Sequence, residues 1–244
     1  GSGVFNRMRA LNLNVLADGN PVEGTNVALR DGDGVKLGSA VTDSSGDATG
    51  MKFTTEMVDS SGLSVMNLAG YEAVTVAKVG NYFYNNSTDN SGDFRYAFDN
   101  LTLTDAPGNS HTINLVDKVD IRVCYGSTSS TNTMLATCPG ISTSSQAGRE
   151  YTSGLKEYGT RGALPTNMSG KVVMFDYGLN LLQGNQDYNF NGSKVLVTGS
   201  YTSSNAARIY GQSGGTELYA HNSEWIGLAT NPQGEAQGFQ LGYW

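Results

Sequence analysis

Proline is scarce in this chain, 5 residues in 244, and cysteine and histidine are scarcer, 2 of each. Two cysteines with no histidine at ligand spacing do not supply the four ligands of a structural zinc site. Charged residues make up only 15%, and 22 acidic side chains outweigh 15 basic ones for a net charge of -7. The basic residues do not cluster, which excludes a nucleic-acid partner, since a phosphate backbone is held by grouped Lys and Arg. No run approaches 18 apolar residues, so no helical membrane span is expected. The first residues, GSGVFNRMRA, contain neither the apolar core of a signal peptide nor a cleavage site. They read as a mature chain whose signal peptide has been removed.

What is abundant is turn-forming and small. Glycine contributes 32 residues, and together with Ser, Thr and Asn it fills 100 of the 244 positions. Such a composition favours turns and polar strand faces over helices. From Leu11 the run LNLNVLA alternates apolar and polar residues at period two, breaks at Asp18-Gly-Asn-Pro, and resumes as TNVALRD before a second turn, DGDG. VKLGSAVTD, MKFTTEMV and YEAVTVAKV repeat that logic, with turn signals every eight to twelve residues, the spacing of a β-sandwich.

The stretch ADGNPVEGTNVALRDGDGVKLGSAVTDSSGDATGMKF, residues 17–53, followed by LAGYEAVTVAKV, resembles the carboxypeptidase regulatory-like, transthyretin-like β-sandwich family over roughly the first third of the chain. The resemblance rests on Gly19, Pro21, Val22 and Gly24 at the start and on Thr42, Asp43 and Gly46 at a later turn. It implies a Greek-key sandwich used as a spacer or attachment module on secreted proteins, with no catalytic residues to carry over. The same positions have a local reading: Pro21 presets φ for a turn, the glycines supply positive φ, and Asp43 accepts from the backbone two residues on.

The run LVDKVDIRVCY alternates into Cys124, and the domain boundary is placed there, giving a first domain over 1–120 and a second over 121–244. Cys124 and Cys138 flank a Ser/Thr/Gly-rich loop. They read as one disulfide that contributes about 3 kcal/mol and persists only in an oxidising compartment; the other reading is two reduced, buried thiols. The loop to about Pro165 is expected to be ordered. From Lys171 the strands KVVMFDYGLNLL, SKVLVTGSY, ARIYG, TELYAH and EWIGLA return. The expected class is all-β throughout. For the second half a sandwich or jelly roll ranks ahead of a short parallel β-helix, because no fixed period of 20–25 residues stands out.

Few constellations suggest chemistry. Gly211-Gln-Ser-Gly-Gly215 matches the Gly-x-Ser-x-Gly nucleophile pattern, with Glu217 and His221 following Ser213 in hydrolase order. That pattern works where a strand turns sharply into a helix, and here it reads as a turn between two strands. The chain is therefore read as a non-enzyme. Asp187-Tyr-Asn-Phe-Asn-Gly192 matches the opening of a calcium loop, with Asp187, Asn189 and Asn191 as alternate oxygen ligands, but Thr198 stands where the closing carboxylate belongs. Structural calcium is the single cofactor considered; otherwise none is expected. Asp31/Asp33 and Asp43/Asp47 read as turn residues. Sequons at Asn86, Asn100, Asn167 and Asn191 are compatible with a glycosylated secreted surface.

Aromatics number 23. Tyr219, Asn222 and Trp225 are the residues for a sugar platform, rings stacking on sugar faces while an amide bonds hydroxyls; the competing use of such rings is subunit contact. The closing segment GFQLGYW, rich in aromatics, is expected to dock against neighbouring copies. The reading is an extracellular structural subunit of a filament, pilus or cell-surface layer, self-associating or joining another surface subunit, and adhesive. The alternative is a carbohydrate-binding module or an accessory domain of a polysaccharide-active enzyme.

Overall fold

A computed structural model of the chain describes residues 3–80, 82–83, 90–91, 93–127, 134–136, 149–159, 161–176, 179–182, 185–198, 206–211, 215–228 and 238–243. These residues form strands and turns, with a single 3-10 turn at Arg161–Ala163, so the fold is all-β. The chain divides into two compact units, residues 1–77 with 95–117, and residues 78–94 with 118–244.

The strands up to residue 118 are β1 (Phe5–Ala17), β2 (Asn20–Pro21), β3 (Asn26–Arg30), β4 (Lys36–Val41), β5 (Asp47–Asp59), β6 (Gly62–Val65), β7 (Tyr71–Lys78), β8 (Tyr82–Phe83), β9 (Asn90–Ser91), β10 (Phe94–Leu101), β11 (Asn109–Asn114) and β12 (Asp117–Lys118). One sheet runs β11-β1-β5-β6, with β2 also on β1; the other runs β12-β10-β7-β3-β4. Alternation in β1 sends Leu11, Leu13 and Val15 into a core shared with Val27, Leu29, Phe53, Ala73 and Ile113, all at most 1% exposed. Asp18 and Gly19, at φ 51 and 78, form the two-residue loop that pairs Ala17 with Asn20, the Asp-Gly solution for a tight hairpin.

The Thr42–Gly46 turn shows why its residue types are required. The buried Thr42 hydroxyl donates to the Val22 carbonyl (2.6 Å) and accepts from the Thr25 N–H (2.9 Å). Asp43 Oδ1 accepts from the N–H groups of Ser45 and Asp47. Gly46 sits at φ 79, and a Cβ there would lie 2.6 Å from the Val15 carbonyl oxygen, whose strand also receives the Gly46 carbonyl as acceptor for the Val15 N–H.

In the second unit the pairing changes character. Its strands beyond β8 and β9 are β13 (Ile121–Val123), β14 (Tyr125–Ser127), β15 (Met134–Ala136), β16 (Arg149–Glu150), β17 (Lys156–Tyr158), β18 (Val172–Phe175), β19 (Leu179–Leu182), β20 (Tyr188–Asn189), β21 (Lys194–Val197), β22 (Ala206–Gly211), β23 (Leu218–Tyr219), β24 (Glu224–Gly227) and β25 (Gly238–Tyr243). Three parallel ladders run side by side: β17-β13-β18-β21-β24, β19-β22-β25, and β20-β23 extended by a bridge from Asn167 to Asn189. Strand then strand then strand, each stacking on its counterpart one coil earlier, is a short parallel β-helix. The second half therefore takes the architecture that ranked behind a sandwich or jelly roll.

The coils are unequal, which hides the repeat. Val172 stacks under Lys194, 22 residues on, but Lys194 under Glu224, 30 residues on. Like positions nevertheless superpose: Val173, Val195 and Trp225 form one inward column, Phe175 and Val197 another. At one corner Gly170, Gly192 and Asn222 all take positive φ (67, 67 and 53), the left-handed turn between the β20-side face and the β18-side face.

Residues 78–94, read from sequence as part of the first domain, belong to the second unit. The Val79 N–H donates to the Asp93 carbonyl, Asp93 pairs with Lys118 at 3.5 Å, and Phe94 lies against Arg122. The division falls at 117/118, three residues before the expected boundary.

Replacing Gly46 with Ala should lower unfolding stability by about 3 kcal/mol, combining left-handed strain with the backbone clash. Gly24→Ala, at φ 74 with open space around the added carbon, should cost only about 1 kcal/mol. Denaturant unfolding of both variants measures the gap, and equal losses would refute the clash.

Candidate functional site

The structure places the sequence-derived candidates one by one. Asn189 Oδ1 accepts from the Asn191 N–H (2.9 Å), and Asn191 Oδ1 accepts from the His221 N–H of the next coil (2.8 Å). Tyr188 and Phe190, the residues that alternate with these, are fully buried. The Asn189 oxygen thus bonds within its own turn and the Asn191 oxygen to the next coil; Asp187 is exposed, and Gly192 serves as the corner. Among the described residues no group of three or more His, Cys, Asp or Glu side chains is placed to hold a metal ion. Thr198 donates to Asp176 Oδ1 at 3.0 Å.

Glu217 accepts from the Tyr219 hydroxyl (2.6 Å), and His221 is exposed; Ser213 lies outside the described residues. Tyr219 is 41% exposed. Asn222 is the exposed corner residue, and Trp225 packs its ring 5.0 Å from Phe190 while its indole N–H donates to Ser223 Oγ. Trp225 therefore packs on the inward column while keeping part of its surface exposed, and Tyr219 and Asn222 are exposed. Cys124 is buried and disulfide-bonded; Cys138 and Asn86 lie outside the described residues. Asn100 and Asn167 are exposed. Ser193, the third residue of the Asn191 sequon, is buried and donates to the Met168 carbonyl. His111 Nε2 lies 3.2 Å from Asp99 Oδ2.

The strongest concentration of charge was not singled out in the sequence. Ile121 and Val123 point into the coil, so alternation sends Arg122 to the opposite face of β13. There its neighbours in register are Glu157 on β17 and Met174 on β18. Arg122 Nη1 donates to Glu157 Oε1 at 2.8 Å, and Nε and Nη2 donate to the Asp176 carboxylate. Glu157 is fully buried and also accepts from the Tyr151 hydroxyl (2.6 Å). The guanidinium carbon sits 4.5 Å from the centre of the Phe94 ring. Continuing along the same row, Met174, Leu196 and Ile226 are at most 2% exposed, so this outer face is itself covered.

Two carboxylates share one guanidinium in this network. Burial pushes the Asp176 carboxyl above its ordinary range, with the Glu157 charge adding to the effect, against the opposing pull of Arg122 and Thr198. That direction follows from the count: one cation cannot neutralise two buried anions. The arrangement holds four neighbouring strands in register and is closed to a ligand, because each charged oxygen already has a partner within the fold.

Two other features remain open to solvent. One is a cleft of about 220 Å³ lined by Asp120, Lys156, Tyr158, Asn167 and Lys171 among others. The second is a row of exposed apolar side chains in the first unit, Phe5, Val58 and Leu63, in direct cross-strand register over β1, β5 and β6. No protein-family model, curated protein or solved structure matches this chain.

Asp176 gives a pH prediction. Because its folded-state value is raised, the folded protein binds more protons than the unfolded chain just above the ordinary carboxylate range, and its contribution to stability is lost as pH rises through the raised value. Asp176→Asn removes that contribution, so the variant should gain on the parent in melting temperature as pH rises above the ordinary carboxylate value of about 4. A difference that stays flat, or runs the other way, would show that Arg122 holds Asp176 ionised throughout.

Proposed function

We propose that this chain is a structural subunit of an extracellular surface assembly, joined to its neighbours through an open sheet edge in the first unit. The observation that carries this reading is the apolar row on β1, β5 and β6. Phe5 is 67% exposed, Leu63 63%, and Val65 on the same strand as Leu63 72%. Among the described residues β6 is the outermost strand of its sheet, pairing with β5 alone. Its sequence, Gly-Leu-Ser-Val, holds neither a charge nor a proline, the devices by which natural edges block pairing with another chain. An unguarded edge beside exposed apolar side chains is a template for strand addition, main-chain bonds supplying affinity and the side chains specificity.

Other features support the same reading. The disulfide at Cys124 suits an oxidising compartment. The likeness of residues 17–53 to the carboxypeptidase regulatory-like sandwich suits a spacer or attachment module. No helix among the described residues is long and apolar enough to cross a membrane.

Sedimentation velocity across a concentration series tests the proposal. The parent should self-associate, and Leu63→Lys with Val65→Lys should weaken association at least about tenfold, by burying charge at the contact, while leaving the melting temperature within a degree or two because both positions face water. A parent that stays monomeric at every concentration, or polymers indifferent to the two lysines, would sink it.

A further inference from the structure

The cleft beside the β-helix core goes beyond the assembly reading, because it offers recognition chemistry that an assembly contact does not need. β17 is in register with β13, Lys156 beside Ile121 and Tyr158 beside Val123. Ile121 and Val123 point into the coil, so Lys156 and Tyr158 lie on the same, inward face. β17 is the last parallel strand on this side of the ladder, followed only by the two-residue antiparallel β16. Its inward residues therefore close the end of the coil stack. Tyr158 packs on the core cluster yet keeps part of its surface in water, and the Lys156 side chain is 48% exposed.

Across the cleft stand Lys171, at the turn into β18, and Asn167, whose Oδ1 takes the Ser169 N–H so that its amide group has donors left to offer. Asp120 lies between, its Oδ2 accepting from the Val172 N–H and its Oδ1 4.0 Å from Lys171 Nζ. Lys156 Nζ is 3.4 Å from Glu150, itself well exposed. Both lysine pairs are long and solvent-screened, so either can exchange its carboxylate for one on a ligand at little loss.

We propose that this cleft binds one acidic sugar unit of an anionic polysaccharide. The volume of about 220 Å³ falls below the roughly 300–1,000 Å³ of an enclosing small-molecule pocket and suits a single ring lying in an open groove. The partly exposed Tyr158 ring offers an apolar face for a sugar's C–H groups. Asn167 and Asp120 provide donor and acceptor for hydroxyls, and the ammonium groups of Lys156 and Lys171 meet an anionic substituent. A lysine is a compact point charge, so it accepts a carboxylate or a sulfate alike. In a chain of net charge -7 that attraction has to be local: Lys156 and Lys171 both line the cleft, and their carboxylate partners, Glu150 outside the lining and Asp120 at 4.0 Å, are the groups a ligand's anion would have to replace.

Isothermal titration of the full chain with an oligogalacturonate, a sulfated galactan oligomer, a neutral galactan oligomer of the same length, and inorganic phosphate provides the test. One or both charged oligomers should bind, weakening as salt is raised, and the pair of arms tells carboxylate from sulfate. The neutral oligomer and phosphate should bind at least about tenfold more weakly. Lys156→Gln with Lys171→Gln should abolish binding, and Lys156→Arg with Lys171→Arg should retain it. Self-association should be the same in all variants, which separates failure here from failure of the assembly reading. No binding by either charged oligomer, equal binding by the neutral one or by phosphate, or binding that survives both glutamines would overturn the proposal.

Discussion

A β-strand cannot be left with a bare row of N–H and C=O groups inside a fold, and both units of this chain are arranged around that requirement. In the first unit it is met by antiparallel neighbours, with β1 also taking β11 in parallel over six residues. In the second it is met by the preceding coil. Gly170 donates to the Asn191 carbonyl and Gly192 to the His221 carbonyl, so successive corners are bonded to each other as the strands are. Once the backbone is stacked in this way, side chains have no choice of neighbour: Val195 lies over Val173, and Val197 over Phe175. Packing in the second unit is a consequence of the ladder.

The Arg122 network shows how polar groups are admitted to such a stack. Glu157 and Arg122 lie in register on β17 and β13 and Asp176 just past the end of β18, though Glu157 and Asp176 stand 35 and 54 residues from Arg122 in sequence. Tyr151 and Thr198 complete the oxygens, and the Phe94 ring shields the guanidinium. Removing Arg122 would strand two buried carboxylates, a loss of about 3–5 kcal/mol, whereas the intact network adds direction that apolar contacts lack. It fixes which strand lies beside which, in a sheet whose other outward residues, Met174, Leu196 and Ile226, would tolerate a slipped register.

The candidate residues show how far short motifs can be read. Asp187 to Gly192 was recognised as alternating oxygens before a glycine, and that description is accurate; the oxygens of Asn189 and Asn191 face backbone donors. A turn and a cation loop demand the same side chains at the same spacing, since both place acceptors around a tight bend. The Asp31 and Asp43 turns illustrate the plainer use, each carboxylate accepting from backbone groups two and four residues on. Trp225 was legible as an aromatic in a strand, but strand alternation does not say which of its two faces is the core until the neighbouring coil is in place. Lys156, Tyr158, Asn167 and Lys171 carry no signal of proximity, because the cleft is made by strands that meet only after stacking.

The sequence by itself determined the all-β class, the alternation of β1 and its inward residues, the tight Asp18-Gly19 hairpin and the Thr42–Gly46 turn. Each of these follows from interactions within a few residues, where composition and period act directly. The tertiary structure alone decided that the second half is a parallel helix of unequal coils, that residues 78–94 join it, and that Arg122, Glu157 and Asp176 meet. Period-two alternation is the same in parallel and antiparallel sheets, and insertions between strands erase a repeat in the chain without disturbing it in space, so those choices rest on contacts between residues that the sequence keeps far apart.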